Sequence, residues 1–111
     1  MKIKEETLST IREMKGIDSV LLVEKVGLPA CLLGDKNASE ISAMTASLWG
    51  LGEYYIKKFG NGDLNHVIVE SNKNKILTFS CNNKILVVSG KKDALTEDLK
   101  NKIMNKIFKE K

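Results

Sequence analysis

Residues 38–59, ASEISAMTASLWGLGEYYIKKF, decide the fold, because they form the longest uninterrupted helical pattern in the chain. On an ideal helical wheel Ile41, Met44, Leu48, Leu51, Tyr55 and Phe59 gather on one side, a stripe wide enough to seal one face of a sheet. Asn37 or Ser39 supplies an N-cap, and Gly60-Asn61-Gly62 ends the helix. Within it, residues 41–52 (ISAMTASLWGLG) carry no charge at all. Trp49 falls roughly 120° from the centre of the apolar stripe, with Ser42, Thr45, Ala46 and Ile56 around it. A helix on the surface of a monomer should carry charge on its outer side. A tryptophan, able to bury about 200 Å², set instead among small residues predicts a partner surface there, and a symmetric contact between two copies needs only one self-complementary patch.

Outward from this helix the chain alternates in a simple way. In residues 4–15, Thr7, Leu8, Ile11 and Met14 recur at helical spacing, and Gly16 follows as a C-terminal cap. Residues 19–24 (SVLLVE) and 28–33 (LPACLL) read as a hairpin joined by Lys25-Val26-Gly27, with Pro29 placing the second strand at a sheet edge. After a turn at residues 34–37 and the long helix come three strands, 64–70, 75–81 and 84–89, separated by asparagine-rich turns. A last amphipathic helix places Leu95, Leu99, Ile103 and Ile107 at four-residue spacing. The predicted order is α-β-β-α-β-β-β-α, an α+β fold with a five-stranded, largely antiparallel sheet covered by three helices.

With 111 residues, 42% hydrophobic and 29% charged, the chain reads as one domain over residues 1–111. Its net charge of +4 rests on scattered lysines, and Arg12 is the one arginine. This argues against a nucleic-acid role, which favours arginine forks gathered on one face. No signal-like segment and no apolar run long enough to span a bilayer is present, so a cytoplasmic protein without membrane insertion is expected. Cys31 and Cys81, without CxxC spacing or a neighbouring histidine, read as buried reduced thiols.

Four segments carry a family resemblance: Gly16-Ile17-Asp18-Ser19-Val20-Leu21-Leu22-Val23, Gly27-Leu28-Pro29, Ile41-Ser42-Ala43-Met44-Thr45-Ala46 and His66-Val67-Ile68-Val69-Glu70. In this order they resemble the Roadblock family, named for a dynein light chain, whose members include regulators and scaffolds of Ras-like GTPases. The resemblance implies a profilin-like layering, with the long helix on one face of the sheet and the two terminal helices on the other. It also implies a homodimer or heterodimer built on the long helix and the third strand, an edge strand whose free backbone groups template self-pairing. The expected dimer interface comprises Ser42, Thr45, Ala46, Trp49, Glu53 and Ile56 of the helix and His66, Val67 and Ile68 of the strand.

Little in the chain suggests catalysis. His66 is the one histidine, without a second ligand in sequence reach, and is expected to pack or hydrogen-bond at the dimer seam. Gly60-Asn61-Gly62 follows a helix and precedes a strand, the reverse of a phosphate-binding context. The carboxylates Asp35, Glu40, Glu53 and Glu70 are scattered rather than paired. Arg12, beside Glu13, reads as part of a solvated helix face rather than as a charge donor to phosphoryl transfer. The expected function is a homodimeric docking or scaffold module without cofactor, binding or regulating a Ras-like small GTPase. The alternative is a motor- or complex-associated structural adaptor with no GTPase partner.

Overall fold

A computed structural model describes residues 5–33, 37–60, 62–81 and 83–108. The elements are α1 (Glu5–Arg12), β1 (Ile17–Glu24), β2 (Pro29–Leu33), α2 (Ala38–Phe59), β3 (His66–Glu70), β4 (Asn74–Cys81), β5 (Lys84–Lys91) and α3 (Glu97–Phe108). The strands form one antiparallel sheet in the order β2-β1-β5-β4-β3. The long connection carrying α2 thus spans the sheet from one edge strand to the other.

Side-chain alternation along the central strands makes two cores, one on each face. On the first, Leu8 and Ile11 of α1, Ile103 and Ile107 of α3 and Leu95 close over Val20, Leu22, Leu77, Phe79, Leu86 and Val88. On the second, α2 covers Leu21, Val23, Ile85 and Val87. The terminal helices therefore share one face and α2 has the other.

Several boundaries differ from expectation for local reasons. The first helix stops at Arg12, because the chain turns through Met14 and Gly16, the latter at φ 87°, and the Arg12 guanidinium donates to the Ile17 carbonyl at 3.3 Å. The last helix begins after Leu95, since the Thr96 hydroxyl accepts from the Leu99 amide at 3.3 Å and caps it. Asn37, not Ser39, caps α2, accepting from the Glu40 amide at 3.2 Å. Asn83 takes positive φ (65°) in the β4–β5 turn, as an asparagine turn allows. The expected turn at residues 34–37 lies largely outside the described residues, as do Asn61 and Asn82.

The orientation of α2 is the chief correction. Its buried residues are Ser42, Thr45 and Trp49, and Trp49, 3% exposed, packs into the core with Leu21, Val23, Ile85 and Val87. Of the stripe expected to seal the sheet, Ile41 packs against this core and Leu48 is half-buried, but Met44, Leu51, Tyr55 and Phe59 are all exposed. The reason is steric. Small side chains on the Trp49 side let the helix backbone come close to the sheet, and the indole fills the space they leave. Gly52 belongs to the same side, where an added Cβ would lie 2.8 Å from the Leu64 side chain.

Trp49 Nε1 is buried without a hydrogen-bond partner, so the indole contributes volume rather than a bond. Truncating Trp49→Ala should cost the isolated fold about 3–5 kcal/mol in chemical denaturation, Trp49→Phe clearly less. Two glycines give an opposed pair. An added Cβ at Gly90 would overlap the Gly16 carbonyl oxygen, while Gly50, exposed within α2, has nothing within 4 Å. Gly90→Ala should lower stability by about 1–3 kcal/mol and Gly50→Ala should raise it by about 0.5–1 kcal/mol, both read as urea midpoint shifts.

Candidate functional site

Turning α2 onto its small-residue side leaves an apolar surface exposed. Met44, Leu51, Tyr55 and Phe59 are 61%, 62%, 62% and 77% exposed, and the Tyr55 and Phe59 rings meet edge to face at 4.9 Å. Leu48 lies half-buried on the same stripe. Scattered exposed apolar residues are ordinary, but a contiguous stripe that includes two aromatics marks an interaction surface.

The helix covers only part of the sheet. It packs against β1, β2 and β5, and beside it opens a groove of about 850 Å³. Met44, Leu48 and Leu51 form its helical wall, Val69 and Ile76 its sheet wall, and Thr78, Ser19 and Ser89 part of its floor, where the last two hydroxyls hydrogen-bond to each other. The groove leads to β3, which among the described residues pairs with β4 alone and has its other edge open. Ile68 and Val69 on that strand are 41% and 44% exposed. Stripe, groove and open edge are thus continuous.

The residues expected at the interface divide accordingly. Ser42, Thr45 and Trp49 are buried within the chain and offer nothing to a partner, and Ala46 and Ile56 are half-buried beside them. Glu53 is exposed but stands on the far side of α2 from the stripe. The strand residues fare differently: His66 and Ile68 are exposed, and half-buried Val67 packs near Trp49 and Gly52. The residues that the helix exposes instead are Met44, Leu51, Tyr55 and Phe59, with Leu48 half-buried among them. Their signal was present in the small residues at positions 42, 45, 46 and 52, which mark close approach to a sheet as readily as to a second helix.

Among the described residues no group of three or more His, Cys, Asp and Glu side chains gathers, and no helix is long and apolar enough to cross a membrane. The Cys81 thiol is buried in the core, while the Cys31 side chain lies outside the described residues. Arg12 is engaged with backbone. Glu70 lies 3.9 Å from Lys75 and 3.6 Å from Lys92, and Glu24 lies 3.2 Å from Lys84, pairs on the surface rather than in a cleft. What this arrangement offers is area, shape and an unpaired strand.

Known structures share this architecture. The chain superimposes with a TM-score of 0.86 on a Roadblock/LC7 domain from Streptomyces avermitilis, at 19% identity over 97% of this chain and 94% of that one. MglB from Myxococcus xanthus gives 0.81 at 15% identity, covering 96% and 91%. An MglB solved in a tetrameric arrangement also gives 0.81, at 13% identity, covering 92% and 80%. At such identities the likeness is one of fold. Among curated proteins there is no sequence match. The profile of the Roadblock/LC7 domain matches residues 3–89, most of the chain. With its three helices, antiparallel sheet and long central helix in the matching order, the chain belongs to the Roadblock/LC7 domain family.

Proposed function

We propose that this chain is a homodimeric Roadblock-type docking or scaffold module that binds or regulates a Ras-like small GTPase. The observation that carries the reading is the continuity of the exposed stripe Met44-Leu51-Tyr55-Phe59 with the groove and the open edge of β3. A second copy of the chain supplies what each part lacks: an apolar helix for the groove and a strand for the edge. The interface of the proposal therefore keeps the strand residues His66, Val67 and Ile68 and replaces the Trp49 side of α2 with the stripe. The tetrameric arrangement of a structurally similar MglB is in keeping with self-association through this fold.

The GTPase half of the proposal comes from the family resemblance. In this reading the module acts by holding a partner's switch segments in one arrangement. Sedimentation at micromolar concentration should give a dimer, and Leu51→Glu, at an exposed position, should give a monomer with an unchanged far-ultraviolet circular dichroism spectrum. A pull-down with Ras-like GTPases should retain one of them preferentially in one nucleotide state. Retention of none in either state, alongside retention of a different protein, would favour a structural adaptor.

A further inference from the structure

The floor of the groove beside α2 carries hydroxyls that the protein itself does not satisfy. Thr78 of β4 and Thr45 of α2 line the groove at 1% and 6% exposure. Neither hydroxyl has a hydrogen-bond partner among the described residues. Ser19 and Ser89 bond to each other, and two hydroxyls that share one hydrogen bond keep a donor and several acceptor sites between them. A hydroxyl taken out of water without a partner costs free energy, so each such group in a native fold calls for an explanation.

The strand register joins these groups into one track. Ser19 lies opposite Ser89, and Ser89 lies opposite Ile76, two residues from Thr78 on β4. Thr78 is therefore a diagonal neighbour of Ser89, roughly 7–8 Å away. Around the track the groove is aliphatic, with Leu21 and Val87 beside it and Ile41 and Leu48 on the helical side. Asp18 is the one charged side chain among the lining residues, which include no lysine, arginine or histidine. A carboxylate or phosphate would enter without a counter-charge, at a heavy desolvation cost. The volume of about 850 Å³ lies within the range of small-molecule sites, about 300–1,000 Å³.

We infer that the groove floor binds a small neutral molecule with an aliphatic body and hydroxyl or carbonyl groups, which hydrogen-bond Thr45, Thr78 and the Ser19–Ser89 pair. Each threonine hydroxyl can donate to a carbonyl or accept from a hydroxyl, so both kinds of group fit. The site goes beyond the self-association proposed above and does not depend on it. A second copy's helix laid over the mouth closes the groove and leaves the floor to the ligand, so the two occupants lie at different depths.

Decanol, with decanoate as its charged counterpart, probes the site by methyl NMR on the full chain. Decanol should shift the Leu21 and Val87 methyl signals saturably and leave those of Leu8 and Ile103, on the opposite face of the sheet, in place. Decanoate should bind about tenfold more weakly. Thr78→Val removes the hydroxyl at nearly constant shape, so it should weaken decanol about three- to tenfold, the worth of one hydrogen bond, while the urea midpoint stays level or rises. Absence of a saturable shift at Leu21 and Val87 would overturn the site. So would decanoate binding as tightly as decanol, which marks unselective adsorption of amphiphiles. Unchanged decanol affinity in Thr78→Val, or a lowered urea midpoint there, would show that the hydroxyl serves the fold and not a ligand, and would overturn the inference too. A dimer that decanol dissociates would overturn the placement of the ligand beneath the second copy. A monomeric wild type would overturn the self-association reading and leave this site, read from the same shifts, standing.

Discussion

The helix α2 sits on the sheet through Ser42, Thr45 and Trp49, and the rest of the molecule's surface follows from that seat. Packing at short range requires small side chains where backbone meets strand, and one large ring to fill the remaining volume beside Leu21, Val23, Ile85 and Val87. Once that side is committed to the sheet, the 3.6-residue period carries Met44, Leu51, Tyr55 and Phe59 outward. The exposed stripe is the consequence of a second apolar face on a helix that needs only one to fold. The Ser42 hydroxyl and Trp49 Nε1, both buried without partners, show that the seat favours shape over hydrogen bonding, at a cost the packing must offset.

The two edges of the sheet are treated differently. β2 begins with Pro29, whose missing amide blunts the edge on that side. β3 carries no proline and no bulge in its pairing with β4, and its one formal charge, Glu70, stands at its end. An edge of this kind invites pairing unless it is already committed to a partner, and the uncovered part of the sheet beside α2 lies against the same edge.

The fold was legible because its signals are local. The hairpin at Gly27, the asparagine turns, the capped central helix and the period-2 strands each specify an element without reference to the others, and the helix over Ala38–Phe59 is found at the expected bounds. The face of α2 was not legible, for a physical reason. Wheel analysis assigns the most apolar stripe to the core, which assumes that a helix has one apolar neighbour. Here it has two apolar faces, and choosing between them depends on distance of approach, which the small residues at 42, 45 and 52 control and hydrophobicity does not register. Trp49 misled for the same reason: its size demands burial, but says nothing about which surface buries it. The strand residues His66, Val67 and Ile68 lie on an edge strand, as the family resemblance implied, and that position does not depend on which way α2 turns.

Strand and helix are coupled in the proposed assembly, and that coupling limits how it can err. Moving the two-fold axis by one residue along β3 slides the partner by two residues, about 7 Å at the rise of an antiparallel strand. The partner's helix moves with it as part of one rigid layer, by more than a helical turn of about 5.4 Å. Side chains of the stripe that fill the groove in one register would then stand over different positions in the next. A five-residue strand alone specifies register weakly, because two Val-Ile-Val runs fit almost as well one step apart. The groove beside α2 penalises the same slip, so the helix supplies the register that the strand alone specifies weakly.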